Sequence, residues 1–311
     1  MKKAILMSCA LALVACGGLN KNTVSYQMGK YDASQYYVVA ADGPTAKEAS
    51  AQALSVMQKE LTEHTSAEIG AELVGDLLAN AYTAKTWRDK ESDTKHYYSL
   101  AVLPRDKANA VLMPQLNQAD AQLIGLAAQF ATPADPLADL KIAYKMQPLV
   151  ERRTALDELY QFLQADRSSF QPETFAPYKT VFKEKMAAVL VGVDVSGVES
   201  EALTTYIVDA LNQMGLGVVE SSDPDKTLLV QVTTEVDNYS SKKINGLIWC
   251  SSSATVSLID AARDVTFARF NAQDRAGTTR ISDSLRRSMQ GVGEQAAKQI
   301  STRLENYLKT K

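Results

Sequence analysis

The sequence predicts a mixed α+β fold in which a small β-α-β-β domain, a helical spacer and a second α/β, sandwich-like domain follow one another. Two observations predict it. The stretches 36–104 and 189–311 change between strand-like and helix-like periodicity, whereas 105–188 has helical periodicity only. The length of 311 residues is enough for about two domains.

Composition and charge exclude several classes of protein. Hydrophobic residues make up 46% of the chain, which is ordinary for a globular protein and excludes wholesale disorder. Lys and Arg number 33 against 36 Asp and Glu, so the net charge is −3. Because no basic excess is available to neutralise a phosphate backbone, we expect no nucleic-acid partner.

The first residues have the pattern of a secretory signal. Lys2 and Lys3 precede the apolar run Ala4–Ala15, which is shorter than the roughly 20 residues that span a bilayer. The run ends in Leu-Val-Ala before Cys16, and Gly17 follows. This ending resembles a bacterial lipobox, and the alternative is an ordinary signal peptide that contains a cysteine.

The lipobox resemblance implies cleavage after Ala15 and acylation of Cys16 with fatty chains such as palmitate. We therefore assign 1–15 to the signal peptide and 16–35 to a lipidated tether. In lipoproteins an Asp after the cysteine favours the inner membrane, and Gly17 stands there instead. The expected location is the outer membrane, with the body facing the periplasm or, as the alternative, the cell surface.

Residues 36–104 are predicted to form the small α+β domain. Tyr36–Ala40 has the composition of a strand, and Asp42-Gly43-Pro44 ends it. Thr45 and Glu48 have the spacing of a capping box that begins a helix. The segments 82–87 and 96–103 are strand-like, and a charged turn joins them.

Several residues of this domain resemble the LPP-twenty lipoprotein family. The resemblance depends on Thr86-Trp87, on the run Tyr97–Arg105, and on the upstream helix that contains Ala49 and Ala53. It extends over about residues 30–170. It implies an outer-membrane lipoprotein that faces the periplasm, and it implies no catalytic residue.

The stretch 105–188 is predicted to be a helical hairpin or a three-helix region. Apolar residues repeat at spacings of three and four residues from Leu112 to Phe130, and again from Leu137 onwards. A Pro-rich break separates the two repeats. Pro148 is expected to kink or end the second helix.

Residues 189–311 are predicted to follow the order β-α-β-β-β-β-α. The strand 227–237 alternates strictly, with Val232 on the core face and Thr233 on the opposite face. A long amphipathic helix from about Leu285 to Leu304 closes the domain. At the level of topology the domain resembles the envelope-assembly domains of curli secretion lipoproteins, penicillin-binding-protein activators and flagellar assembly protein T.

The side chains available for chemistry are few. The sequence contains no GxSxG, HExxH, CxxC or P-loop motif, and only two His, namely His64 and His96. We interpret His96 as a strand residue and Cys250 as a small buried hydrophobe. Two other weak candidates are an incomplete dinucleotide motif at Gly291 and Gly293 and an acidic pair at Asp223 and Asp225. The C-terminal part also contains a set of arginines, which we interpret as solvated surface and whose alternative role is contact with anionic glycan or lipid headgroups. They are Arg263, Arg269, Arg275, Arg280, Arg286 and Arg287.

These observations favour a non-enzymatic outer-membrane lipoprotein that acts as a binding or scaffold module in the cell envelope. We expect no catalytic residue, no metal ligand and no cofactor. The expected site residue is Cys16, through which lipid attaches the chain to the membrane, and the expected partner is an envelope protein. Two alternatives stay open: an activator or docking subunit of a cell-wall synthase, secretion or flagellar machine, and a hydrolase that uses carboxylates alone.

Overall fold

A computed structural model describes residues 21–65, 70–88, 96–130, 135–240 and 242–309. The helices within them are α1 (Val24–Met28), α2 (Ala46–Glu63), α3 (Gly70–Leu78), α4 (Arg105–Ala127), α5 (Pro136–Leu163), α6 (Pro172–Phe175), α7 (Tyr178–Ala188), α8 (Ser200–Gln213) and α9 (Ile281–Lys309). The strands are β1 (Tyr36–Gly43), β2 (Tyr82–Arg88), β3 (Tyr97–Pro104), β4 (Leu190–Gly197), β5 (Gly217–Glu220), β6 (Leu228–Tyr239), β7 (Ile248–Asp260) and β8 (Val265–Thr278).

The mixed α+β class predicted from the sequence is confirmed. The described chain divides into two compact units: an N-terminal unit of residues 21–116 and Thr154–Phe170, and a C-terminal unit of residues Asn117–Arg153 and 171–309. The stretch 105–188, for which the sequence predicts a separate helical region, therefore contributes residues to both units.

The N-terminal unit contains a three-stranded antiparallel sheet with β3 in the middle. Leu100 to Leu103 of β3 are fully buried, as expected for a strand that is covered on both faces. The helix α2 packs Ala53 and Met57 into one core cluster with Ala101 and Leu103, and its Ala49 is also fully buried. At its start the Thr45 hydroxyl accepts the Glu48 amide, as the capping box predicts.

The other side chains of β3 pack against residues that precede the sheet. Val24, Met28 and Tyr31 surround the cluster of Trp87, Leu100 and Val102. The Trp87 indole Nε1 also donates a hydrogen bond of 2.6 Å to the Asn22 carbonyl. The described part of the segment that we assign to a tether, residues 21–35, thus contains α1 and adds to the core of this unit.

The long helices contain prolines in their interiors. Pro148 lies inside α5, which continues to Leu163, and Pro114 lies inside α4. A proline inside a helix removes one backbone hydrogen bond. Leu112 and Leu116 on either side of Pro114 are fully buried, and Met146 beside Pro148 is almost fully buried. We attribute the continuity of both helices to this burial.

The C-terminal unit contains a five-stranded sheet in the order β5-β4-β6-β7-β8. The strand β4 pairs in parallel with β5 and β6, and β6, β7 and β8 are antiparallel neighbours. Helices α8 and α9 cover one face and form a core with it. The order along the chain, β4-α8-β5-β6-β7-β8-α9, is the predicted one.

The alternation predicted for β6 is present. Val232 is 2% exposed and belongs to the core beneath α8 and α9, whereas Thr233 is exposed on the opposite face. That opposite face is polar, because Thr233 is paired with Thr255, which is paired in turn with Asn271. The sheet therefore has one helix-covered face and one polar face.

Candidate binding site

The structure does not reach the principal site residue of the sequence analysis. Cys16 lies outside the described residues, and so do the signal peptide 1–15 and residues 16–20 of the tether. Within the described chain no helix has both the length and the apolar composition that a membrane span requires. Nor do the described His, Cys, Asp and Glu residues form any group of three or more that could hold a metal ion.

The other residues singled out from the sequence lie apart from one another. Cys250 is 1% exposed, and its sulfur is 3.9 Å from the Ser252 hydroxyl oxygen. His96 Nδ1 is 3.1 Å from an Asp42 carboxylate oxygen at a half-exposed position. Asp223 accepts the backbone amide of Asp225 within a surface turn. None of these arrangements brings a nucleophile and a base together.

The two glycines of the incomplete dinucleotide motif serve the packing of α9. A Cβ on Gly293 would lie 2.7 Å from the Tyr206 ring, and one on Gly291 would overlap the Asp274 carboxylate. Because real Cβ atoms do not approach other atoms this closely, a larger residue at either position would force the Asp274 or the Tyr206 side chain to move. The motif thus has a structural role in helix packing.

The six arginines have different surroundings. Arg263 donates to Asp260 at 2.8 Å and lies 3.7 Å from Asp135, and Arg286 lies 3.9 Å from Asp283. Arg275 contacts an aromatic ring, with its guanidinium carbon 5.0 Å from the centre of the Trp249 ring. The remaining three are exposed, namely Arg269, Arg280 and Arg287.

A cleft of about 620 Å³ lies beside the hairpin that joins β6 and β7. We call it the hairpin cleft. Its lining residues come from β6, from the β6–β7 loop and from the facing parts of β7 and β8, and they are Asn238, Tyr239, Ser240, Lys242, Ile244, Trp249, Ser251 and Arg275. Its volume falls in the range of about 300–1,000 Å³ that is common for small-molecule sites.

The hairpin extends beyond its parallel neighbour. The last pair between β4 and β6 joins Gly197 and Thr234, but β6 continues to Tyr239, which is paired with Cys250. The register of β6 against β7 shifts between Val236 and Asn238, which marks a bulge. A bulge bends a strand and re-aims the side chains beyond it. The cleft lies in this extended and irregular part of the sheet.

Local sequence explains how the hairpin closes. Asn245 and Gly246 have positive φ angles of 52° and 80°, and Ile244 and Leu247 exchange both backbone hydrogen bonds across them. This is the geometry of a two-residue turn, for which Asn-Gly is the preferred pair. The Ser240 hydroxyl also accepts the Trp249 amide at 2.8 Å. The loop is thus tied to the start of β7.

Gly277 determines the position of the Trp249 ring. The two residues are paired across β7 and β8, and a Cβ on Gly277 would be 2.8 Å from two ring carbons of Trp249. The indole therefore lies directly over the glycine backbone, which only a residue without a side chain allows. The Arg275 guanidinium also lies over this ring, and the indole is partly exposed beside it.

The cleft is lined by cations without a carboxylate partner. Within the described chain, Arg275 and Lys242 form no ion pair, and the Trp249 indole N–H donates to no protein acceptor. Of the residues that the structure describes, no Asp or Glu lines the cleft. Because these three groups carry hydrogen-bond donors only, the cleft is suited to accept an anionic ligand.

Another polar cluster of the C-terminal unit is already satisfied by its own residues. Asp260 is 1% exposed and accepts hydrogen bonds from Arg263 and from the Tyr307 hydroxyl at 3.0 Å. Burial and the Asp260 carboxylate raise the pKa of Tyr307, while the hydrogen bond to Asp260 raises the pKa of Arg263. We interpret this cluster as a structural one that fixes the end of β7.

The hairpin cleft was not predicted from the sequence, although signals for it were present. Asn245-Gly246 between two alternating stretches is a strong hairpin signal, and Lys242 and Lys243 lie just before it, separated from it by Ile244. The contact between Trp249 and Gly277 could not be predicted, because it depends on the register of β7 against β8. Arg275 appeared among the six arginines, without any sign that it differed from them.

No protein-family model matches the chain, and no curated protein matches it in sequence.

Several solved structures resemble it in part. The secreted protein HP1454 from Helicobacter pylori is 12% identical with a TM-score of 0.36, over 84% of this chain and 97% of that one. The minor lipoprotein from Acinetobacter baumannii is 10% identical with a TM-score of 0.30, over 39% of this chain and 94% of that one. Lipoprotein GNA1162 from Neisseria meningitidis is 14% identical with a TM-score of 0.25, over 39% of this chain and 99% of that one. Bacterial lipoproteins are thus among the structures that this chain partly resembles.

Proposed function

We propose that the chain is a lipid-anchored, non-enzymatic binding module of the bacterial outer membrane that holds an envelope component in the hairpin cleft. The observation that carries the proposal is the lining of the cleft. It combines the indole of Trp249, which is fixed over Gly277, with the cations Arg275 and Lys242, neither of which has an ion-pair partner among the described residues. An aromatic surface with a few convergent polar groups is the common composition of a binding site.

The lipid anchor in this proposal rests on the sequence. Cys16 follows Leu-Val-Ala at the end of a short apolar run, which is the arrangement of a lipobox. Acyl chains contribute about 0.8 kcal/mol for each buried CH₂, so that two or more chains anchor a protein stably. Lipid on Cys16 would hold the body at the outer membrane, with the hairpin cleft facing the periplasm.

A second candidate function is docking on a cell-wall synthase, a secretion machine or a flagellar machine. It is favoured by Tyr239 and Ile244, which are 58% and 50% exposed at the rim of the cleft. Exposed aromatic and aliphatic side chains of this kind are common at protein interfaces. In that case the ligand of the cleft would be a protein.

Crosslinked membranes provide the test of the proposed function. Membranes from cells that carry the wild-type protein, the double variant Lys242→Gln/Arg275→Gln, or Arg269→Gln are treated with a reversible crosslinker. The lipoprotein is then purified. We expect a component that is recovered with the wild type and with Arg269→Gln, and lost with the double variant. Arg269 is the matched control, because it is an exposed arginine on the same strand. Equal recovery from all three would contradict binding through the cleft.

A further inference from the structure

We infer that the ligand of the hairpin cleft is an acidic saccharide, whose carboxylate is bound by Arg275 and Lys242 and whose ring packs on Trp249. This inference rests on the proposed function, because it names the class of component that the cleft holds.

The indole of Trp249 provides a flat surface of the kind that a sugar ring matches. One face of the indole lies over Gly277, and the residue lines the cleft. The face of an aromatic ring carries partial negative charge, and it attracts groups with positively polarised edges. The C–H bonds on one face of a sugar ring are polarised in this way. A sugar ring can therefore pack on the part of the indole that Gly277 and the Arg275 guanidinium leave exposed.

Arg275 and Lys242 provide the charge that selects an acidic sugar. Both side chains line the cleft, and neither has a carboxylate partner within the described chain. A guanidinium group can bind a carboxylate through two parallel hydrogen bonds, and such charge-assisted bonds are about twice as strong as neutral ones. Since Arg275 lies 5.0 Å from the centre of the Trp249 ring, one sugar unit can reach both groups.

The remaining lining is polar and matches hydroxyl groups. Asn238, Ser240 and Ser251 contribute an amide and two hydroxyls, which can both donate and accept hydrogen bonds. A saccharide presents hydroxyls of the same dual character. The cleft volume of about 620 Å³ is large enough for a short oligosaccharide.

The lining favours a saccharide over an acidic peptide or a lipid surface. A peptide that docks in a groove needs apolar pockets for its side chains, whereas Ile244 is the one aliphatic residue among the described residues of the lining. A helix or loop that lies on a membrane presents a broad apolar face to the acyl boundary. The polar lining Asn238, Ser240 and Ser251 offers no such face.

The test measures binding of acidic oligosaccharides to the full-length lipidated protein in detergent. The probes are trigalacturonate, disialic acid and the muramic acid disaccharide of peptidoglycan, with galactotriose as the neutral control. Calorimetry gives the affinities, and saturation-transfer NMR identifies the sugar protons that contact the protein. We expect at least one acidic probe to bind, galactotriose to bind about tenfold or more weakly, and saturation to be strongest on one C–H face of the ring.

Variants of the cleft identify the groups responsible. Arg275→Gln should weaken binding of the acidic probe about tenfold, which corresponds to about 1.4 kcal/mol. Trp249→Phe should reduce the saturation of the ring protons. Arg269→Gln should change the affinity less than about twofold, because this exposed arginine lies six residues away, roughly 20 Å along the strand. Arg275 is exposed, so its variant is expected to fold, and the melting temperature checks this.

Several outcomes would overturn the inference. The inference is wrong if no acidic probe binds at millimolar concentration, or if galactotriose binds as tightly as the acidic probes. It is also wrong if Arg275→Gln binds the acidic probe with the affinity of the wild type. Binding of phosphatidylglycerol vesicles that Arg275→Gln abolishes, without binding of any saccharide, would assign the cleft to lipid headgroups instead. If the saccharides fail but the double variant still loses its crosslinked membrane component, the proposed function stands and only the ligand class is wrong. A crosslinked protein in that case would favour the docking alternative.

Discussion

Neighbouring residues on β6 have opposite environments, and this difference is the sharpest consequence of the strand alternation. Val232 is 2% exposed and belongs to the core of the C-terminal unit, whereas Thr233 is exposed on the polar face. The alternation could be predicted from sequence because successive side chains of a strand point to opposite faces. The same sequence reasoning predicted the Thr45 cap of α2, which depends only on local spacing.

Replacing Val232 or Thr233 by Asp distinguishes the effect of burial on stability from the effect of strand propensity, because the same side chain is introduced at both positions. Val232→Asp should lower the free energy of unfolding of the C-terminal unit by several kcal/mol, because it buries a carboxylate without a partner. Thr233→Asp places the same side chain in water and should cost far less. Thermal unfolding of both variants compares them. Equal losses would show that the two residues do not face opposite sides.

Other residue-level features were not accessible from the sequence. The packing of Trp249 over Gly277 requires the register between β7 and β8, and the bulge at Val236–Asn238 changes the register of β6 against β7. A one-residue shift in register exchanges the two faces of a strand. The sequence therefore did not show which aromatic residue would meet Arg275.

At the scale of elements, tertiary packing explains where the structure differs from local expectation. Pro148 is expected to kink or end its helix, and α5 does not end there but continues to Leu163 beside the buried Met146. Residues 21–35 are polar enough to suggest a tether, yet α1 packs on the apolar second face of β3. In both cases the burial of neighbouring side chains overrides a signal that is local in sequence.

The helices α5 and α9 lead to a prediction at alkaline pH. Burial, and secondarily the Glu305 carboxylate on α9, raise the pKa of Tyr144 on α5 to about 12. An unfolded tyrosine has a pKa of about 10. The folded state therefore holds this proton more firmly. The resulting stability is complete below pH 10 and is lost as the pH rises from about 10 to 12.

Tyr144→Phe removes this group. In chemical unfolding from pH 8 to pH 12, the variant should lose less stability above pH 10 than the wild type does. The comparison at pH 8 is the control, because there the phenol is protonated in both states. Identical pH profiles for the two proteins would contradict the contribution of Tyr144.

At the scale of the whole molecule, the proposed lipid anchor and the proposed binding cleft belong to different parts of the chain. The anchor depends on Cys16, which sequence patterns identify because lipoprotein processing depends on a local motif. The α+β class and the order of helices and strands along the second half of the chain also follow from sequence periodicity. The hairpin cleft does not, because it is assembled from the ends of three strands and one loop.

Replacement of Cys16 tests the anchor. Cys16→Ala should release the protein into the soluble fraction or leave an unprocessed precursor, because the acyl chains would have no attachment site. Cell fractionation followed by mass measurement of the mature chain distinguishes these states. A Cys250→Ala variant is the control, and it should remain in the membrane fraction. Recovery of Cys16→Ala in outer membranes at the wild-type level would exclude the anchor.

The central claim is that the hairpin cleft binds an envelope component, and photo-crosslinking in intact cells tests it most directly. A photoreactive amino acid is placed at position 244, which lines the cleft and leaves Lys242 and Arg275 in place, or at position 269 on β8. We predict that light produces a specific adduct with an envelope component from position 244 and none from position 269. The same adduct from both positions, or no adduct from position 244 in a folded and membrane-bound protein, would contradict the claim.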